Sequence, residues 1–201
     1  MSKTVFTSLL ALACVSSQAI WYTDENEFLN AIAPNHYLED FDDFQYGVQL
    51  NGAQTSWSAT GSNGYSWDAF AQFGLWSLDG ALSTSNSEDV LALTFTGSPV
   101  TAFGGIFFAT DSSGFIVPAI DITLALSNNE TQTFTSGGLD FLGWTGGSAI
   151  ASVELSVAST SGTWITADHV YSGAMVPEPA TAAAVIIGLA ALAARRSRRF
   201  S

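Results

Sequence analysis

The sequence predicts an all-β protein: a single β-sandwich or jelly-roll domain with a short N-terminal helix, flanked by a signal peptide and a C-terminal transmembrane helix. Three observations carry this. Apolar and polar residues alternate at period two through much of the middle, the mark of strands with one buried face. Glycine, serine and threonine punctuate those runs, as in sheet proteins made of short strands. The basic residues are confined to the two ends, each cluster beside an apolar run, and the 18 acidic residues fall in the interval 20–194.

The front segment is residues 1–19. Lys3 supplies a short positive region, and Val5, Phe6, Leu9, Leu10 and Leu12 an apolar one. Ser17-Gln18-Ala19 has the small-x-small spacing of a signal-peptidase site, so Ile20 is the expected mature N-terminus. The single cysteine, Cys14, follows Leu12-Ala13 and leaves a lipoprotein alternative open, although Ala11 stands where a lipobox carries a large aliphatic residue. Cleavage after Ala19 would leave no cysteine and hence no disulfide.

The body, residues 20–173, has the size of one domain. Thr23 is the expected N-cap of a first helix, with Asp24, Glu25 and Glu27 at its positive end. Phe28, Leu29 and Ile32 form its apolar stripe, and Pro34 ends it. Strands follow. Leu91, Leu93 and Phe95 alternate with Ala92, Thr94 and Thr96. Ile120, Ile122, Leu124 and Leu126 alternate with Asp121, Thr123, Ala125 and Ser127. Val153, Leu155 and Val157 alternate with Ser152, Glu154 and Ser156. Ser127-Asn128-Asn129-Glu130 reads as a turn and residues 131–135 as its return strand. Residues 100–109, almost wholly apolar around Gly104-Gly105, read as a central strand with a bulge or a close backbone approach. Residues 51–64 and 82–87, dense in Gly, Ser and Asn, are expected to be surface loops.

The back segment is residues 174–201. Val176-Pro177-Glu178-Pro179 opens it; the prolines stop the preceding element and suit the first turn of a helix. Residues 180–194 are apolar and would span about 22 Å as a helix, short of a hydrocarbon core of about 30 Å. Bilayer thinning closes such a gap. Arg195, Arg196, Arg198 and Arg199 follow as a basic stop, which keeps them cytoplasmic and leaves the acidic body outside.

Pro177, Glu178 and Pro179, the Ala-rich run and the terminal arginines together resemble the PEP-CTERM sorting signal of Gram-negative bacteria. The resemblance implies recognition by an exosortase after signal-peptidase cleavage, processing near the Pro-Glu-Pro motif, and transient anchoring in the inner membrane. It also implies delivery to the cell surface, extracellular matrix or exopolysaccharide. Such tails also carry the label of an ice-binding-protein C-terminal domain; no ice binding is inferred from it. In the body, Tyr37-Leu38-Glu39-Asp40-Phe41, Phe103-Gly104-Gly105-Ile106-Phe107-Phe108, Phe141-Leu142-Gly143-Trp144 and Ala167-Asp168-His169-Val170-Tyr171 are similar to landmarks of PEP-CTERM cargo domains and jelly-roll carbohydrate-binding modules. That resemblance implies a structural calcium held by Glu39 or Asp40 together with Asp168. His169 departs from it, standing where many such domains have an acidic or amide residue.

The residues themselves narrow the chemistry. Glu39, Asp40, Asp42 and Asp43 form the densest acidic group; strand alternation would put Glu39 and Asp43 on one face, Asp40 and Asp42 on the other. No Lys or Arg in the body neutralises them, and a hard oxygen-seeking cation such as calcium is the natural partner, against the plainer reading of a solvated acidic turn. Asp111 is a loop-capping candidate. A net charge of −13 with no basic footprint in the body excludes nucleic acid and anionic lipid as partners of the body. Among six tryptophans, Trp144 and Trp164 are expected in the core and Trp57, Trp67 and Trp76 as exposed sugar-stacking contacts. His36 and His169 have no metal-ligand spacing, and no nucleophile elbow occurs. The expectation is therefore an exported, non-catalytic surface or matrix protein that binds polysaccharide. The alternatives are a secreted glycoside hydrolase, since two carboxylates suffice for that reaction, or a purely structural matrix protein.

Overall fold

The computed structural model describes residues 18–61, 63–158 and 162–176. Strand β1 (Ile20–Tyr22) leads into helix α1 (Glu25–Ala31) and then β2 (Tyr37–Glu39). There follow β3 (Ser56–Thr60), β4 (Ser66–Phe70), β5 (Leu75–Leu78), β6 (Ala81–Thr84), β7 (Leu91–Phe95) and β8 (Val100–Thr110). The chain continues through β9 (Ile120–Leu126), β10 (Thr131–Ser136), β11 (Asp140–Ile150), β12 (Ser152–Val157) and β13 (Trp164–Gly173). The seven-stranded sheet runs β1-β11-β8-β13-β6-β5, with β2 also on β13; the six-stranded sheet runs β10-β9-β12-β7-β4-β3. All pairings are antiparallel. The fold is thus all-β with one short helix. The expected signal peptide, apart from Gln18 and Ala19, lies outside the described residues, as do the C-terminal apolar run, the Pro-Glu-Pro motif and the arginine cluster. Among the described residues no helix is long and apolar enough to cross a membrane.

The predicted strands at 91–95, 120–126, 131–135 and 152–157 are present as β7, β9, β10 and β12, because each offers one apolar face to the space between the sheets. Leu91, Leu93, Ile122, Leu124, Val153 and Leu155 are fully buried there, opposite Phe103, Phe107, Leu142, Trp144, Ile165 and Val170 of the other sheet. The Trp144 indole donates at 2.7 Å to Glu130, at the end of the β9–β10 turn, and so ties the two sheets together. Free strand edges invite pairing with other chains, and the edge of β5 is covered within the molecule. Gly47 N–H donates to Ser77 O at 2.8 Å, and Gly52 N–H to Leu75 O at 2.8 Å.

The expected loops are partly strands. β3 forms within 51–64, and β6 runs into 82–87 as far as Thr84, because tertiary pairing outweighs the Ser and Gly content: β3 has β4 for a partner, and β6 is held between β5 and β13. Ala81, Leu82, Ser83 and Thr84 are all buried.

Helix α1 is capped by Asp24, one residue after the expected Thr23: its carboxylate accepts from Glu27 N–H at 2.9 Å. The helix ends before Ile32, whose extended backbone pairs with Met175. Ala33 N–H donates to Ala174 O, and Val176 N–H to Ala31 O. The compact body accordingly runs from Gln18 to Val176.

The helix packs on the outer face of the seven-stranded sheet through Phe28, which is fully buried against Ala102 and Tyr171. Gly104 and Gly143 face each other across β8 and β11 and make room for this ring. A Cβ on Gly143 would lie 2.6 Å from Phe28 Cδ2. Of the two alternatives expected at Gly104-Gly105, the close backbone approach is present in β8, while the bulge belongs to its neighbour β13. Gly104 takes the close approach, and Gly105 lies opposite the bulge at which His169 and Val170 interrupt the β13–β8 register, with His169 at φ 47°.

Candidate functional site

The outer face of the seven-stranded sheet has a second half, away from α1, and its geometry follows from register. Ser83 is paired with Trp76 on one side and Thr166 on the other, and Thr166 with Phe108. Trp164 pairs with Thr110, and Asp168 with Ile106. Side chains alternate along each strand. Leu75, Leu82, Ile165, Ala167 and Phe107 take the core face, which leaves Trp76, Ser83, Trp164, Thr166, Phe108 and Thr110 on the outer one.

Two loops wall this face into a cleft of about 200 Å³. One carries Tyr46, whose ring meets Trp76 edge-on with centroids 5.7 Å apart and whose N–H donates to Asp79 Oδ1 at 2.9 Å. Gly47, at φ 62°, lets this loop pass over Trp76: a Cβ there would lie 2.9 Å from the indole. The other loop carries Asp111, which receives Ser113 and Phe115 N–H on Oδ1 at 2.8 and 3.0 Å, as expected of a capping residue. Its Gly114 comes against Tyr46 and Leu78. Tyr46 is 47% exposed and Phe115, beyond it, 72%. A rigid apolar and aromatic floor with a few fixed polar groups is the general form of a small-ligand site.

Of the tryptophans expected at the surface, Trp76 lines this cleft. Trp67 does not reach the surface: it is 0% exposed, in the core against Phe41 and Trp57. Trp57 is half-buried and packs on Phe41 and Phe44. Both corrections follow from strand alternation. Ser56 and Ser58, or Ser66 and Asp68, take the outer face, so the tryptophan between them points inward. The same rule moves Trp164 from the expected core to the cleft, because Ile165 and Ala167 occupy the core face beside it. Trp144 is buried as expected.

The acidic residues are engaged locally. Glu39 pairs with Val170 across β2 and β13, accepts from the Tyr37 hydroxyl and receives Phe41 N–H at 3.3 Å. Burial, then the Glu39 bond, raises the Tyr37 phenol above its ordinary value. Asp40 accepts Asp42 N–H at 3.2 Å. The strand stops at Glu39 and Phe41 turns at φ 52°, so the expected alternation of Glu39 with Asp43 does not continue. Asp168 accepts His169 N–H at 2.6 Å, and His169 Nδ1 lies 2.9 Å from the same oxygen. Burial raises the Asp168 carboxyl above its ordinary value, His169 opposes that, and Asp42 adds a smaller push upward. Among the described residues, no group of three or more His, Cys, Asp or Glu side chains lies close enough to hold a metal. The expected ligands Glu39, Asp40 and Asp168 therefore gain no support as a calcium cage. His36 Nδ1 donates to Ala33 O at 3.0 Å, its backbone N–H reaches the same oxygen at 3.2 Å, and its ring packs on Tyr171.

No family model matches the chain, and no curated protein or solved structure matches it either. Fold and site together define an antiparallel, two-sheet β protein with a small aromatic cleft on one outer face.

Proposed function

We propose that this chain is an exported, non-catalytic protein of the cell surface or extracellular matrix that associates with polysaccharide through the cleft above Trp76 and Trp164. The cleft carries the reading. Half-buried indoles on a rigid sheet offer flat apolar surface to the face of a sugar ring, and hydroxyls and a carboxylate beside them offer hydrogen-bond partners to its rim. The nested strand order supports a jelly-roll body: β6, β13, β8 and β11 in one sheet, β7, β12, β9 and β10 in the other. Export and sorting rest on the sequence: the signal-peptidase spacing in front, and the Pro177-Glu178-Pro179 motif, apolar run and arginine cluster behind. A glycan array probed with the purified protein tests the binding. Selective binding that Trp76→Ala abolishes supports it; binding to no glycan, or binding indifferent to that substitution, rejects it.

A further inference from the structure

We propose that the cleft is an acceptor-lined site that selects saccharides able to donate hydrogen bonds and rejects anionic ones. This rests on the saccharide reading above and adds to it the class of sugar.

The hydroxyl hydrogens fix the direction. Ser83 Oγ donates to Ile165 O at 3.1 Å, and Thr166 Oγ1 donates to Ser83 Oγ at 3.0 Å. With its one hydrogen spent on Ser83, Thr166 can only accept from Thr110, whose Oγ1 lies 3.1 Å away. The chain therefore runs from Thr110 through Thr166 and Ser83 into the backbone, and its hydrogens all point into the protein. At the cleft margin, Thr84 Oγ1 donates to Asn86 O at 3.1 Å and Ser85 Oγ to Phe73 O at 3.3 Å. Ser83, Ser85 and Thr110 thus offer lone pairs and no hydrogen, whereas Thr84, paired with Leu75, turns its side chain to the core face. Asp111, in the same lining, is acceptor-only when ionised.

Charge points the same way. Asp111 lines the cleft, Asp79 braces its Tyr46 wall, and the body has no Lys or Arg to offset them. The donors left in the lining are neutral: the Tyr46 phenol, the Ser112 hydroxyl and the indole N–H groups. An acidic sugar would bring an acceptor-only anion to a site whose donors are all neutral and whose charge is already negative, which costs both desolvation and repulsion. A sugar hydroxyl or a protonated amine suits the same lining. The volume, about 200 Å³, lies below the roughly 300–1,000 Å³ of pockets that enclose drug-sized ligands. It therefore fits the terminal ring of a chain.

The test is calorimetric titration of the purified full chain in a non-glycosidic detergent, with EDTA present. The probes are cellotetraose, a glucosamine tetramer and tetragalacturonate. The expected order puts the neutral and amino sugars at least roughly tenfold tighter than the uronate, all of it lost in Trp76→Ala, the scale of one anchoring aromatic. Asp111→Asn keeps Oδ1 for the Ser113 and Phe115 N–H groups while removing the charge. It should narrow the gap by several-fold, and an unchanged melting temperature shows that the loop is intact. Tighter binding of the glucosamine tetramer, removed by Asp111→Asn, would identify the donor as an ammonium; equal binding of the two would identify it as a hydroxyl. Uronate binding as tight as cellotetraose and sensitive to Trp76→Ala overturns the selectivity while leaving the saccharide reading in place. Binding of none of the three overturns both.

Discussion

Gly143→Ala combined with Phe28→Ala tests how the helix is seated. Phe28 is fully buried, and its ring is held by Tyr22, Phe141 and Tyr171 at centroid distances of 5.9, 5.3 and 6.0 Å. A methyl on Gly143 would meet Phe28 Cδ2 at 2.6 Å and Phe141 Cε1 at 2.9 Å. Carbon atoms normally pack at about 3.5–4.0 Å, so the overlap is about an ångström and the ring has no open side to move into. Gly143→Ala alone should cost about 1–3 kcal/mol, the usual penalty of overpacking. Phe28→Ala alone should cost about 3–5 kcal/mol through lost transfer energy and a cavity. In the double variant the new methyl enters the vacated space, although the Phe141 contact persists. The double should therefore cost less than the sum by about 1–2 kcal/mol, within the range for residues in contact. Urea denaturation followed by tryptophan fluorescence measures all four species. Additivity to within about 0.5 kcal/mol would refute the claim that Gly143 is small because Phe28 occupies its place.

Other outcomes follow from the same contacts. Truncation after Gly173 removes the bonds from Ala33 N–H to Ala174 O, Val176 N–H to Ala31 O and Met175 N–H to Thr101 Oγ1; at about 0.5–1.5 kcal/mol each, the midpoint in urea should fall measurably below that of a chain ending at Val176. Asp168 has a folded-state pKa above its ordinary value, so the folded state holds more protons than the unfolded one between the two values, and this group's contribution to stability declines as pH rises through that window. Asp168→Asn should gain on the wild type across the same window and hold the gain at neutral pH; a uniform loss at every pH would show that the contact with His169 outweighs burial. With a net charge of −13, calcium and magnesium should raise the melting temperature equally by screening; a calcium-selective rise removed by Asp40→Asn or Asp168→Asn would restore a metal site.

Much of the fold was legible where a strand shows water one face and the core the other. Residues 91–95, 120–126 and 152–157 carry that contrast in every second residue, and the structure places them accordingly. β6 was not legible because it is buried throughout and made of Ala, Leu, Ser and Thr; its identity comes from lying between β5 and β13, a long-range fact. The Gly and Ser around Trp57 and Trp67 point to the surface, although the polar residues flanking each already put the indole on the inner face. Trp164 could have been placed by the same alternation. The cleft itself was legible only in Trp76. Tyr46, Asp111 and Trp164 come from distant loops and strands, and the donor direction from Thr110 to Ser83 exists only once β6, β8 and β13 lie side by side. The acidic run at 39–43 misled in a different way: a turn at Phe41 breaks the strand geometry on which its predicted faces depended.

The central claim is that polysaccharide covers the cleft. Hydroxyl-radical footprinting of the purified chain with and without cellotetraose, read by mass spectrometry, addresses it directly. Protection confined to Trp76, Trp164 and Tyr46, with exposed Phe70, on the far sheet, and Phe73, in the turn between β4 and β5, unchanged, is the predicted result. Protection that spares those three residues, or that falls on Phe70 and Phe73 instead, would contradict it.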